Sequence, residues 1–159
     1  MNTGFTLIEL VVVIAIVAIT TAMVLPRVWA WQRAARIGNL QYVRGAVHSS
    51  AILVHAAMLA RGGRPDAAPC PAGGGIADNT IDGPGTLCTE GGLVHTLHGY
   101  PASADEQLGR QGYDVTVAGA VTTIARADAP QPAECRFTYT APLVARTAAS
   151  ISPALVSGC

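Results

Sequence analysis

The chain of 159 residues contains no lysine, and all ten of its cationic side chains are arginine. Ten Asp and Glu balance them to a formal net charge of zero, so neither an acidic nor a basic excess recruits a partner. Aromatic residues are scarce, eight in all, and no stripe alternates them with cations as a nucleic-acid surface would. Trp29 and Trp31 stand too nearly alone for an aromatic path for electron transfer; they suit the belt where a membrane meets water. No glycine-rich phosphate loop and no nucleophile elbow occur, and no two carboxylates converge recognisably on one substrate. Asp105 and Glu106 are adjacent and suit the start of a short helix. His95 and His98 lie three apart, which on a strand puts them on opposite faces, and no cysteine pair completes a zinc set around them. Neither an enzyme, a metal site nor a cofactor is expected.

Charge is also missing from one end. The first 25 residues carry a single ionisable side chain, Glu9, and 17 of the 21 residues from Phe5 to Leu25 are apolar. As a helix rising 1.5 Å per residue that run spans about 31 Å, the thickness of a bilayer core. Its β-branched residues, Val11 to Ile14, Ile16, Val17 and Ile19, favour strands in water. In lipid the backbone must satisfy its own hydrogen bonds, and a helix does so. A cleavable secretory signal wants a basic start and small residues after the apolar core; Leu25-Pro26-Arg27 is a poor site of that kind. A plain anchor leaves Glu9 unexplained, because a carboxylate in a membrane calls for a partner.

Gly4-Phe5-Thr6-Leu7-Ile8-Glu9, followed by Val, Ile and Ala, resembles the processing site and first helix of type IV prepilins and the related pseudopilins. The resemblance implies cleavage between Gly4 and Phe5 by a prepilin peptidase, methylation of the new Phe5 amine, and a role in assembly for Phe5 and Glu9. The Glu9 carboxylate would face the amine of an identical subunit in a helical filament, each charge neutralising the other. It further implies insertion by inner-membrane pilus machinery, single-pass with the N-terminus inside, and later display on the cell surface. The domains expected are a leader over 1–4, a transmembrane and polymerisation helix over 5–26, and a head over 27–159 that includes the second half of the helix. Met1-Asn2-Thr3-Gly4 lacks the cations of family leaders, and the leader is expected to extend upstream.

Pro26 cannot donate to the carbonyl of Ala22, so a kink is expected there rather than a stop. Ile37, Leu40, Val43, Val47, Ala51, Val54 and Met58 recur at three and four, an apolar stripe that predicts helix to about Ala60, ending at Gly62-Gly63. Arg64 to Gly92 reads as a surface loop. Strands are expected over Leu93–Tyr100, Gln111–Val117, Ala120–Arg126 and Arg136–Thr140, with a short helix at Ser103–Leu108 and a strand-like tail after Thr147. The fold class is α+β, a long N-terminal helix packed on a small antiparallel sheet, in agreement with the pilin fold that the N-terminus implies. If the apolar segment carries the rest across a membrane, Cys70, Cys88, Cys135 and Cys159 are expected to be oxidised. Three pairings are possible; the local one, Cys70–Cys88 with Cys135–Cys159, is adopted here, and its second bridge resembles the one that pins the tail in many type IV pilins. Arg44-Gly45-Ala46-Val47, Gly99-Tyr100-Pro101, the Cys135–Thr140 run and Gly158-Cys159 are similar to major pilins of the mannose-sensitive haemagglutinin type. The function implied is a filament subunit for adhesion or motility, with a secretion pseudopilin or a minor pilin as alternatives. Many major pseudopilins lack a C-terminal bridge and bind calcium near the tail, whereas here no Asp or Glu follows Glu134.

Overall fold

The computed structural model describes residues 6–103 and 111–159. Helix α1 runs without interruption from Leu7 to Arg61 and contains Pro26. It ends where Gly62 and Gly63 adopt positive φ (62° and 70°), the left-handed conformation that closes helices and that glycine enters without a Cβ penalty. Two compact units divide the chain, Met1–Arg36 and Ile37–Cys159. In the first, every described residue from Thr6 to Arg27 is exposed.

The second unit holds the core. Leu40, Val43, Ala51 and Met58 of α1 are buried, at separations of three, eight and seven that keep side chains on one helical face. Among the described residues, seven antiparallel strands form two sheets rather than one. The first has β1 (Pro84–Thr89), β2 (Gly92–Leu97) and β3 (Tyr100–Pro101) in that order. The second has β4 (Tyr113–Ala118), β5 (Val121–Arg126), β6 (Arg136–Thr140) and β7 (Ser150–Ile151), again in chain order. In β5 and β6 the register sets Ile124 opposite Phe137 and Thr122 opposite Tyr139. All four are buried, and they join Leu40 and Val43 or lie beside them. Period-two alternation thus sends one face of the sheet to the core. Each large apolar side chain so buried contributes about 1.5–3 kcal/mol. The Tyr139 hydroxyl donates to the carbonyl of Pro101 at 2.7 Å, tying β6 to β3. Burial, with a smaller contribution from Tyr100, pushes that hydroxyl's pKa up, so it stays a donor.

Three expectations are corrected. The stretch from Arg64 to Gly92 is not all loop, since β1 lies in it and pairs along its whole length with β2. The expected strand Leu93–Tyr100 breaks at His98-Gly99, which have φ of 49° and 79° and form the two-residue turn from β2 to β3. The histidines His95 and His98 therefore do not share a strand. The short helix expected at Ser103–Leu108, with Asp105 and Glu106, lies mostly outside the described residues.

Candidate functional site

The first turn of α1 is built by Thr6 and Glu9. The Glu9 N–H reaches the Thr6 carbonyl at 3.1 Å and its Oγ1 at 3.3 Å, and the Thr6 hydroxyl donates to Glu9 Oε2 at 3.4 Å. A threonine followed three residues later by glutamate, ahead of an apolar run, is the pattern of a helix capping box. The carboxylate also sits at the positive end of the helix dipole. Among the described residues Thr6 is the one side chain hydrogen-bonded to Glu9. Oε1 of Glu9 has no hydrogen-bond partner among the described residues. Gly4 and Phe5, the expected processing site, lie outside the described residues.

Beyond Glu9, the large apolar side chains from Leu7 to Leu25 are each between 45% and 80% exposed. This part of α1 is long and apolar enough to cross a membrane, and none of its most apolar window is buried. The one hydroxyl for which a partner is seen in its middle, that of Thr20, donates back to the carbonyls of Ile16 and Val17, both at 3.0 Å. A polar group inside an apolar run is thereby satisfied by its own helix. Pro26 follows in the helix interior, where it withholds one backbone donor.

The four cysteines are paired, Cys70 with Cys88 and Cys135 with Cys159. The first bridge ties the loop after α1 to β1. The second joins the residue before β6 to the end of the chain. The tail is held there by more than sulfur. Arg136 and Leu155 exchange two backbone hydrogen bonds of 3.1 and 2.8 Å, and Gly158 N–H donates to Glu134 at 3.0 Å. Arg44 reaches from α1 to the carbonyl of Ser152 at 2.8 Å, so a helix arginine also anchors the C-terminal segment.

A polar cluster at the C-terminal end of α1 was not foreseen. Arg61 bonds Asp66 at 3.0 Å and Asn79 Oδ1 at 3.4 Å, while Asn79 Nδ2 donates to Arg64 O at 2.7 Å and Asp66 Oδ1 at 2.9 Å. Asn79 is fully buried, with φ of 52°. Asn79 stands 13 to 18 positions from its partners in the cluster, too far for any local pattern to announce it. Nearby, Asp78 Oδ1 accepts from the backbone of Thr80 and Thr86 at 3.1 and 2.7 Å. The Thr80 contact above all holds its pKa below the ordinary carboxylate value, against an opposing effect of burial, with Thr86 adding to it.

Comparison with protein families matches residues 1–25 to the prokaryotic N-terminal methylation motif. That match supports a protein of the type IV pilin family, and the apolar helix followed by antiparallel sheets is a pilin-like arrangement. It indicates a precursor of the pilin or pseudopilin type, and the apolar N-terminal helix fits a membrane-anchored precursor; the motif points to a structural protein. No curated protein and no solved structure matches the chain.

Proposed function

We propose that the chain is the structural subunit of a type IV pilus. Prepilin peptidase cuts it between Gly4 and Phe5, and the Phe5 amine is methylated. The subunit waits in the inner membrane as a single-pass protein with its N-terminus inside. Assembly machinery then lifts it into a helical filament of identical subunits, displayed on the surface for adhesion or motility. In the filament, Glu9 of one subunit faces the Phe5 amine of the next. The observation that carries this reading is a carboxylate at the head of an exposed apolar run, with Thr6 as its one side-chain partner among the described residues. The Cys135–Cys159 bridge favours a pilus over a secretion pseudopilin, since many type IV pilins pin the tail in this way and many major pseudopilins do not.

The test is made in cells lacking the native subunit, expressing either the wild type or Glu9→Val. Breaking a desolvated ion pair costs roughly 3–5 kcal/mol, because the remaining charge is left uncompensated. Glu9→Val should therefore accumulate in the membrane fraction while sheared surface fibres fall by about tenfold or more. Wild-type fibres should yield an N-terminal peptide beginning with methylated Phe5. Fibres of Glu9→Val at wild-type yield, or wild-type fibres that retain Met1, would overturn the reading.

A further inference from the structure

A cavity of about 270 Å³ opens within the unit Ile37–Cys159. Four stretches of chain meet around it: α1 through His55 and Leu59, the bend before β1 through Ile81 and Asp82, the β2–β3 turn through His98, and the loop before β7 through Arg146. With a water occupying ~30 Å³ of liquid, the space equals about nine waters, room for one small molecule.

Three features distinguish it from an ordinary surface cleft. First, one wall is rigid and aromatic. His55 and Tyr100 stack with ring centroids 4.0 Å apart and planes 7° from parallel. His55 Nδ1 donates to the carbonyl of Gly99 at 3.3 Å, which gives the ring its orientation and, when neutral, leaves Nε2 as an acceptor. A Cβ at Gly99 would stand 3.0 Å from that Nδ1, so the turn is glycine-tight against the histidine. Second, two non-glycine residues lining the cavity, His98 and Arg146, have positive φ of 49° and 64°. Such backbones persist where their surroundings hold them, and they concentrate at ligand clamps. The first position of a two-residue turn of this kind favours Asn, Asp or Gly, yet histidine occupies it, with Nδ1 buried and unpartnered among the described residues. Third, Arg146 and Asp82 bring opposite charges to the same small space without pairing. Neither makes an ion pair with the other or with any other described residue.

Opposite charges held apart around one cavity, beside an apolar and aromatic wall, are the complement of a small molecule with both charges and an apolar body. We propose that this cavity binds a free amino acid with an apolar side chain. Arg146 takes its carboxylate, Asp82 its ammonium, and Leu59, Ile81 and the Tyr100 ring its side chain. A metal ion is not the occupant: no three His, Cys, Asp or Glu side chains among the described residues are placed to ligate one. The inference is independent of the assembly reading, since no residue of the Met1–Arg36 unit takes part.

The experiment is calorimetric titration of the full chain in detergent micelles with three probes: L-phenylalanine, 3-phenylpropionate, which lacks the amine, and 2-phenylethylamine, which lacks the carboxylate. L-phenylalanine should bind saturably, and each singly charged probe about tenfold more weakly, the scale of one charge-assisted hydrogen bond. Both charged residues are exposed, so Arg146→Gln and Asp82→Asn leave the core intact. Arg146→Gln should erase the advantage of L-phenylalanine over phenylethylamine, and Asp82→Asn its advantage over phenylpropionate. Absence of saturable binding, equal affinity for the three probes, or affinities that neither variant changes would overturn the assignment. Phenylpropionate binding as tightly as L-phenylalanine would show a simple anion site and overturn it equally.

Discussion

Removing the Cys135–Cys159 bridge by a double substitution to alanine isolates what covalent closure adds to a tail already held by backbone bonds. The bridge spans 24 residues in sequence. Chain-entropy arithmetic for a loop of that length gives about 3.5 kcal/mol at 25 °C. The 18-residue separation of Cys70–Cys88 gives about 3.2 kcal/mol by the same route. Either loss is a large share of the 5–15 kcal/mol typical of a folded domain, and the two together approach the whole. Entropy alone therefore ranks the bridges as equals, and their surroundings must separate them. Without its bridge the tail keeps the Arg136–Leu155 exchange, the Gly158–Glu134 bond and the hydrogen bond from Ser157 Oγ to Glu134 at 2.9 Å. These are net contributions of about 1 kcal/mol each at most, and they fray independently at a chain end. The double variant should unfold roughly 10 °C lower in detergent micelles, followed by near-ultraviolet circular dichroism. It should also lose its last residues to carboxypeptidase well below that transition, whereas the wild type should not. A stability loss under about 1 kcal/mol, with the tail still resistant, would show that the backbone ladder suffices and that the loop-entropy reasoning fails here.

Asn79→Ala should cost about 2–4 kcal/mol, because it strands the Arg64 carbonyl and sets a Cβ-bearing residue without a polar side chain at φ of 52°; denaturant unfolding measures it, and a loss within experimental error would make the cluster around Arg61 ornamental. Asp78→Asn keeps the acceptor oxygen that Thr80 and Thr86 use but removes its charge. Because the folded pKa of Asp78 is lowered, its stabilisation is present above the ordinary value of 3.8 and is lost as pH falls through the folded value. The urea midpoint of the wild type should exceed that of Asp78→Asn at neutral pH, and the gap should close as the solution is acidified below 3.8; a gap independent of pH would assign the effect to shape rather than charge.

How much of this was legible in the sequence depends on the range over which each signal acts. The apolar stripe of α1 and its glycine stop are local and periodic. The stripe's Leu40, Val43, Ala51 and Met58 are buried, and the helix ends one residue from the expected place. Strand β1 was read as loop because it begins Pro84-Gly85, two residues that weaken a strand pattern. The structure shows why glycine stands there: a Cβ on Gly85 would lie 2.4 Å from the carbonyl of Thr80. That is a close approach between segments, invisible to a period count. The turn at His98-Gly99 was missed because histidine is not a usual turn residue at that position. The cluster of Arg61, Asp66 and Asn79 depends on β1 folding back beside the helix end, and no window short enough to show periodicity contains it. In the candidate site the opposite happened. Thr6 and Glu9 lie three apart at the helix start, local in sequence, and the same Glu9 that is a charge in an apolar run also occupies the third position of a capping box.

Those two roles of Glu9 bear on each other quantitatively. Between Leu7 and Leu25, twelve Leu, Ile and Val side chains are substantially exposed. At about −0.3 to −0.6 kcal/mol each on an insertion scale they favour the bilayer by roughly 4–7 kcal/mol. A carboxylate at the centre of the membrane opposes this by about 2.5–3.5 kcal/mol, and less near a helix end. Insertion therefore wins even with Glu9 charged, and by a margin small enough to be reversed by contacts within an assembly. Thr6 and the helix dipole reduce the cost of holding the charge at the N-terminal end without neutralising it. A cationic partner would remove that cost at the moment two subunits meet. If Glu9 lay at the middle of the apolar run, its penalty would cancel about half of the insertion energy. If it were absent, nothing in the run would distinguish the bilayer from a neighbouring apolar helix. On the assembly proposed above, its position in the first turn would let one side chain leave the subunit stable in lipid and still favour its exit once a cation is met.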